Sequence, residues 1–474
     1  MEDLTNAPPM PFLSQQSIPA QPVVPPAPTN VPPVIPPPPK KSFPKVFLWV
    51  GVGLLALVLV FVVVRLLSSK LKTQNSELTW WGLWEDQNVV ASLISEYEVA
   101  HPKVKIKYIK QSPIDYRERL TNSLAKGQGP DIFRFHNTWV PMLKSSLDFL
   151  PASVMNPADF SKNFYPVAIS DLTSGKGIVG IPIEYEALTL YINEDIFNKS
   201  GKTPPTTWDD LRALARELTV KDDQGIITQS GVALGRTENV DHWPEILGLM
   251  MIQNGVDLTS PTGKPAEDAL TFFSIFSTVD GVWDATLPSS TQAFAAGKLA
   301  MYIAPSWRSF EISNASPNLK FKTVPVPQLP KDSANEKDIT YATYWVEGVW
   351  SKSGNKAEAW NFLKFLSSRE SSQKFYQAAS KVRSFGEPYS RVDMATTLSS
   401  HPILGSIITQ APGAQSWYLA SRTFDGPTGI NSLLAKYFED AINFVNTGGD
   451  AREALETASL GVNQVLTQYG LVVK

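Results

Sequence analysis

The run that decides the fold spans residues 180–197 and reads GIPIEYEALTLYINEDIF. Its middle, Leu188 to Ile192, is rich in β-branched, aromatic and other apolar residues, which is typical of a buried strand. Two carboxylates, Glu184 and Glu186, come directly before this strand. Because a carboxylate buried without a partner is strongly unfavourable, that end of the strand is predicted to reach a polar cleft. We therefore interpret the run as a crossing from one compact lobe into a second, with the functional site in the gap.

Strands and helices alternate on both sides of this crossing. Upstream, the pattern predicts a strand at 78–84, a helix at 89–100, a strand at 104–108 and a helix at 116–126. A third strand follows at 131–135, and downstream of the crossing further helices and strands lead to a mostly helical tail from residue 430. This alternation predicts an α/β fold with a largely parallel sheet.

Composition excludes several classes of function. The chain has 474 residues, a formal net charge of -3 and no cysteine. It therefore has no disulfide, no thiol nucleophile, no cysteine metal site and no cysteine for lipid attachment. There is no basic field for nucleic acid, and no phosphate-loop, zinc-protease, serine-hydrolase or EF-hand motif. We expect no metal, no cofactor and no nucleic-acid partner, whereas 13 tryptophans are enough to fill cores and still line a ligand cleft.

The first 77 residues differ from the rest. Residues 1–45 hold about fifteen of the 38 prolines, which predicts an extended or disordered tail. Val46 to Val64 is an uncharged, almost wholly apolar run of roughly 29 Å as a helix, about the thickness of a bilayer core. The run is too long for a signal peptide and lacks a small-residue cleavage site, so we expect a retained transmembrane anchor over 46–67 and a linker over 68–77.

Several stretches together resemble a known family. They are YEVAHPKVKIKY from Tyr97, YRERLTNSLAKGQGPDIF from Tyr116, the run from Gly180 followed by PTTW from Pro205, FAAGKLAMYIAPSW from Phe294 and AEAWNFLKFLS from Ala357. In order and spacing they resemble the extracellular solute-binding proteins of ABC importers, in the carbohydrate-binding group that includes maltose-binding protein.

The resemblance implies a two-lobe, periplasmic-binding-protein-like clamshell with hinge strands. Residues 78–185 and 340–383 would form the N-terminal lobe, and residues 186–339 and 384–474 the C-terminal lobe. The chain would cross between the lobes near 186, 340 and 384. A monomer with its globular part outside the cell and its proline-rich tail inside would capture a carbohydrate and deliver it to the permease subunits of an ABC importer. The retained helix would replace the lipid anchor that many members carry.

Sugar recognition needs flat apolar faces for stacking and planar polar groups for hydroxyls, and both residue kinds occur at the ends of predicted strands. The resemblance also matches Glu186, Trp307 and Trp417 to ligand contacts of the family, and places Trp243 near an aromatic contact loop. The full candidate set is Trp81, Trp84, Asp86, His136, Asn137, Trp139, Glu186, Trp243, Trp307 and Trp417. More tryptophans and carboxylates than basic residues favour a neutral sugar, although Arg308 is a basic exception.

Other interpretations stay open on the sequence alone. A tryptophan is more often a core residue than a ligand platform, Asp86 could cap the following helix, and Glu184 could face water. Paired carboxylates such as Glu85 and Glu186 could act as a glycosidase acid and base. A surface sensor or adhesin could use the same clamshell, with the proline-rich tail contacting a partner inside the cell.

Overall fold

The computed structural model describes residues 76–331, 333 and 336–471, together with Val58 and Val60. The predicted tail (1–45), the predicted anchor (46–67) apart from Val58 and Val60, and residues 68–75 of the predicted linker lie outside the described residues. Within the described part, no helix is both long and apolar enough to cross a membrane.

The described residues form thirteen strands and seventeen α-helices. The strands are β1 (Ser76–Gly82), β2 (Val104–Lys110), β3 (Ile132–His136), β4 (Thr173–Ser174), β5 (Gly177–Ile178), β6 (Leu188–Asn193), β7 (Val220–Lys221), β8 (Ile227–Val232), β9 (Leu299–Pro305), β10 (Phe321–Val324), β11 (Thr340–Tyr341), β12 (Trp345–Val349) and β13 (Ala414–Gln415). The helices are α1 (Gln87–Ala100), α2 (Tyr116–Ala125), α3 (Val140–Leu143), α4 (Pro157–Asn163), α5 (Pro166–Leu172), α6 (Glu194–Ser200), α7 (Trp208–Leu218), α8 (Trp243–Gln253), α9 (Lys264–Thr278), α10 (Ser290–Ala295), α11 (Arg308–Ala315), α12 (Lys356–Leu366), α13 (Arg369–Ala379), α14 (Ala395–Leu398), α15 (Gly405–Gln410), α16 (Ile430–Asn446) and α17 (Ala451–Gln468).

The first lobe is built on a four-stranded sheet in the order β12–β3–β1–β2. Strand β1 pairs in parallel with β2 and β3, and β12 closes the edge antiparallel to β3. Helices α1, α12 and α13 pack against this sheet or one another, and their apolar faces join one continuous core. All five residues of β3 are buried, as expected for a strand covered on both faces.

The second lobe has a five-stranded sheet in the order β10–β6–β9–β8–β7. Only β8 and β9 are parallel here, so the predicted largely parallel sheet is found in the first lobe and not in the second. The physical reason is the crossing itself, because β6 arrives directly from the other lobe and runs antiparallel to both of its neighbours. The edge strand β10 ends at Val324, directly before Pro325, because a proline has no N–H to donate to a strand ladder.

Three chain crossings lie side by side between the lobes. Ala187 packs in the core of the first lobe and Leu188 in the core of the second, so the first crossing lies between them. The chain returns between Tyr341, in the second core, and Ala342, in the first. Ala187 bridges to Ala342, and β11 pairs in parallel with β13, so all three crossings are joined by backbone hydrogen bonds. The third crossing follows Ala414 and not Ser384, since apolar side chains of residues 385–414 pack in the first core.

Two helix starts position side chains near these crossings. Helix α8 begins at Trp243 and Pro244, where proline is tolerated because the first N–H groups of a helix have no intrahelical acceptor. Glu245 lies in the first turn of this helix. Strand β9 ends at Pro305, and α11 begins three residues later at Arg308, which places Trp307 in the turn between them.

Candidate functional site

A cavity of about 340 Å³ lies where the two lobes meet. Residues from both lobes and from the crossings line it. They are Trp84, His136, Glu184, Glu186, His242, Glu245, Pro305, Trp307, Phe310, Glu311, Thr343, Trp345, Arg383, Glu387, Pro388, Ser421, Arg422 and Phe424.

Aromatic rings form much of the wall. Trp84 meets Trp345 edge to face at 5.5 Å between ring centroids, and Phe424 tilts toward Trp84 at 5.9 Å. In the second lobe, the guanidinium of Arg308 lies 4.5 Å from the centroid of the Trp307 ring. These contacts fix the rings, so their free faces are preorganised for stacking.

Glu186 joins the first crossing to the end of β9. Its Oε1 accepts hydrogen bonds from the N–H groups of Ala187 (2.9 Å) and Ser306 (3.1 Å), and its Oε2 accepts one from the Ser306 hydroxyl at 2.6 Å. Burial raises the pKa of Glu186 to about 7, although these hydrogen bonds oppose the rise. The carboxyl group is thus a structural link between the lobes as well as part of the cavity wall.

On the first-lobe side, the cavity wall ends in a cluster of buried carboxyl groups, Glu184 and Glu387 in the lining and Glu85 behind them, which we call the floor of the cavity. Oxygens of Glu85, Glu184 and Glu387 lie within 4.8 Å of one another. Burial and the neighbouring Glu387 raise the pKa of Glu184 well above its usual range, whereas Arg383 holds the pKa of Glu387 low against the effect of burial. These opposite shifts favour a protonated Glu184 beside an ionised Glu387.

Arg134 pairs with two buried carboxyl groups beneath this part of the cavity wall. Its Nη1 donates to both oxygens of Glu85 (2.9 and 2.7 Å), and its Nε donates to Glu347 at 2.8 Å. Glu347 also accepts a hydrogen bond from the indole N–H of Trp80. The three clustered carboxyl groups have the spacing of a metal site, but Arg134 pairs with Glu85 and Arg383 pairs with Glu387, so we describe an ion-pair network.

A chain of hydrogen bonds runs through the second-lobe wall. Arg308 Nε donates to His242 Nε2 at 2.9 Å, which leaves the ring proton on Nδ1. His242 Nδ1 lies 3.1 Å from the Ser421 hydroxyl, which donates to Glu245 Oε1 at 2.8 Å; the Ser421 N–H donates to the same oxygen at 2.7 Å. Burial lowers the pKa of His242, so the ring is neutral.

The loop after Ser421 has unusual backbone geometry. Arg422 and Phe424 have φ of 57° and 55°, in the left-handed region that non-glycine residues rarely adopt. The loop is held at its far end by Asp425, whose Oδ2 accepts from the Asn431 N–H at 2.7 Å. Strain of this kind is common at ligand-contacting loops, and here both residues line the cavity.

Comparison with known proteins identifies the family. The model of the family described as bacterial extracellular solute-binding protein matches residues 82–373, more than half of the chain. The chain belongs to this family. Among curated relatives of this solute-binding protein, a binding protein of Brucella abortus (strain 2308) is 26% identical over 275 residues, which cover 55% of this chain and 64% of that relative. The chain therefore spans slightly less than two thirds of that relative's length. The maltotriose-binding protein of Pyrococcus abyssi is 22% identical over 290 residues, covering 59% of each chain.

Solved structures share the fold of this solute-binding protein over most of its length. A cyclic alpha-maltosyl-1,6-maltose binding protein from Arthrobacter globiformis has a TM-score of 0.66 at 19% identity, covering 83% of this chain and 99% of that one. A cyclo/maltodextrin-binding protein complexed with maltotetraose has a TM-score of 0.65 at 16% identity, covering 82% and 97%. At such identities the likeness shows the two-lobe α/β fold alone.

Four of the ten sequence-predicted residues line the cavity of the solute-binding protein: Trp84, His136, Glu186 and Trp307. The His136 ring is held between the hydroxyls of Thr138 (2.8 Å) and Thr343 (3.1 Å). Burial lowers its pKa to about 3, so it is a neutral hydrogen-bonding group.

Three of the other predicted residues pack in the cores. Trp139 is fully buried between Tyr116 and Trp345, and Trp243 is buried in the second core. Trp81 is half-buried and packs against the first core. Strand alternation explains this last case, because residues of one strand point to opposite faces of the sheet.

The last three predicted residues serve local structure. Asp86 is exposed and pairs with Lys110 at 2.7 Å; it occupies the N-cap position of α1 without a side-chain capping bond. Asn137 is buried and donates to Asp171 at 2.9 Å. Trp417 is half-buried, packs edge to face on Phe438 of α16 and lies outside the cavity lining, because its side chain packs against the second core after the third crossing.

Sequence reasoning missed most of the polar lining. Glu184, which could have faced water, is buried and lines the cavity. Its position two residues before Glu186 was a usable signal, since both carboxylates precede the same strand. His242, Glu245 and Phe424 carried no comparable signal, because their roles depend on contacts between segments far apart in the chain.

Proposed function

We propose that this solute-binding protein captures a sugar or oligosaccharide between its two lobes, by stacking and hydrogen bonding, and does not transform it. The observation that carries the proposal is the cavity between the lobes, whose wall combines fixed aromatic faces with buried carboxyl and hydroxyl groups. Pyranose rings present apolar C–H faces for stacking and hydroxyls for hydrogen bonds, and so match both kinds of group.

The ligands of several fold neighbours support the same class of solute. One neighbour is described with maltotetraose, one from Thermotoga lettingae with alpha-D-tagatose, and one from Thermus thermophilus with maltotriose. The cavity size of about 340 Å³ is at the lower end of the usual range for small-molecule sites, which favours a short sugar.

We further propose that the globular part lies outside the cell, that Val46 to Val64 anchors it in the membrane, and that the loaded form docks on the permease of an ABC importer. The family's extracellular character supports the first point. The apolar length of the segment supports the second. In this mechanism the ligand bridges both lobes, so its contacts favour the closed arrangement over an open one.

Calorimetry on the full-length chain in detergent tests the proposal, with tagatose, mannobiose, maltotriose and maltotetraose as the sugar panel. We expect at least one sugar to bind with a Kd in the micromolar range, which corresponds to a binding free energy of roughly 8 kcal/mol. We expect no release of reducing ends from that sugar. Absence of binding by every sugar would contradict capture, and enzyme-dependent release of reducing ends would favour a glycosidase. A surface sensor would bind sugar equally well but would leave uptake unchanged when the gene is deleted.

A further inference from the structure

Glu245 has one oxygen that the protein leaves unused. The residue is 1% exposed and lines the cavity. Its Oε1 accepts two hydrogen bonds from Ser421, but its Oε2 has no hydrogen-bond partner among the described residues. A buried polar atom without a partner is rare in folded proteins, and because Glu245 lines the cavity, a donor on a bound ligand is a candidate partner for Oε2.

The surrounding network keeps Glu245 an acceptor. Burial alone would raise the pKa of Glu245, but its contacts with His242 and the Ser421 N–H lower it, so the group is ionised. The position in the first turn of α8 also favours negative charge, because the helix dipole is positive at that end. An ionised carboxylate can only accept hydrogen bonds, so Oε2 is complementary to a donor and not to another acceptor.

The hydrogen-bond chain has a single direction. Arg308 donates to His242, His242 Nδ1–H faces the Ser421 hydroxyl, and that hydroxyl donates to Glu245. Every proton in the chain is thus directed toward Oε1, and none is left for Oε2. The chain also fixes the carboxylate plane, so the direction from which Oε2 can be approached is preset.

We propose that Glu245 is a specificity-determining residue of the cavity, whose Oε2 accepts a hydrogen bond from one hydroxyl of the bound sugar. This inference rests on the proposed function and deepens it. A sugar that lacks this hydroxyl, or that places an acceptor there, leaves the carboxylate oxygen buried and unpaired. Such a ligand is therefore rejected, even where stacking on Trp307 is unaffected.

The test compares Glu245→Gln with the wild-type full-length chain by calorimetry. The probe is the sugar among tagatose, mannobiose, maltotriose and maltotetraose that raises the wild-type melting temperature most, together with its monodeoxy analogues. Gln keeps an oxygen for the two Ser421 bonds but replaces Oε2 by an NH₂ donor. We expect the variant to bind the parent sugar on the order of tenfold to a hundredfold more weakly. One monodeoxy analogue should bind wild type and variant almost equally.

Glu267→Gln is the matched control. Glu267 also lies in the first turn of a second-lobe helix, α9, but pairs with Arg452 at 3.2 Å on the outer surface. The Glu267→Gln variant should bind the probe sugar with the same affinity as the wild type. Ligand-free melting temperatures separate a binding role from a structural one, because Glu245→Gln should melt close to the wild type.

Each outcome decides a separate point. If the wild type binds a sugar and Glu245→Gln binds it equally well, the inference is overturned while the proposed function stands. If the variant loses affinity for every monodeoxy analogue by the same factor, no single hydroxyl meets Glu245 and the inference again fails. If no sugar binds the wild type, both the proposed function and the inference that rests on it are refuted.

Discussion

Replacement of Glu186 by Gln should change the free energy of unfolding in a pH-dependent way. Burial raises the pKa of Glu186 from 4.5 to about 7. A folded-state pKa above the unfolded one means that the protonated acid is favoured in the folded protein. The resulting stabilisation is fully present below the unfolded pKa and is lost as pH rises through about 7. A rise of roughly 2.5 in pKa corresponds to about 3 kcal/mol.

Gln suits this position because it is neutral at every pH. Its oxygen can accept from the N–H groups of Ala187 and Ser306, and its NH₂ can donate to the Ser306 hydroxyl. We expect Glu186→Gln to gain about 2–3 kcal/mol relative to the wild type between about pH 4 and about pH 8.

Urea unfolding of both proteins, followed by tryptophan fluorescence at the two pH values, measures this difference directly. Other titrating groups are common to both proteins and cancel in the comparison. Glu186→Ala should be destabilised at both pH values, because it leaves two buried N–H groups without an acceptor. The same stability difference between wild type and Glu186→Gln at both pH values would refute the reasoning.

Three further variants test other parts of the site. Trp307→Ala should weaken binding of the panel sugar by about tenfold in calorimetry through loss of stacking, whereas Trp417→Ala, outside the cavity lining, should leave the affinity unchanged; equal losses would contradict the placement. Arg134→Met should lower stability by about 3–5 kcal/mol in thermal melts, because it leaves buried carboxylates unpaired, and acidification should restore part of the loss. Phe310→Ala removes a ring that contacts Phe385 of the other lobe in a tilted arrangement, at 4.5 Å between ring centroids, and that lies under Arg383. The ligand-free variant should therefore be more open, with a larger radius of gyration in small-angle scattering, and an unchanged radius would contradict this.

The sequence predicted the first crossing because its signal is local. A buried strand preceded by carboxylates at 184 and 186 needs no knowledge of distant residues, and β6 lies within one residue of its predicted bounds. The second crossing, near 340, was expected only from the resemblance, and the packing changes from the second core to the first at Tyr341–Ala342. The third was placed near 384 and lies after Ala414, because residues 385–414 form short helices and turns whose lobe is decided only by packing.

Site residues were predictable only where position along a strand determines exposure. Trp84 follows the end of β1 and reaches the cavity, but Trp81, three residues earlier, packs against the core. Composition cannot separate these two cases, because both are tryptophans near one strand end. The polar lining depends on pairs such as Glu184 with Glu387, which are about 200 residues apart in the chain and meet only in the fold.

The charge state of the cavity wall favours a neutral ligand over an anionic one. His136 and His242 are neutral because burial lowers the pKa of both rings, and burial together with the neighbouring Glu387 raises the pKa of Glu184, which favours its neutral form. Arg383 pairs with Glu387, so the lining cation nearest the floor is already compensated. An anionic ligand would have to displace Glu387 from Arg383, and the unpaired buried carboxylate would be more unfavourable than the new pair is favourable. Hydroxyl groups can donate to Glu245 without disturbing any existing pair, which is why we expect a polyhydroxylated, uncharged solute.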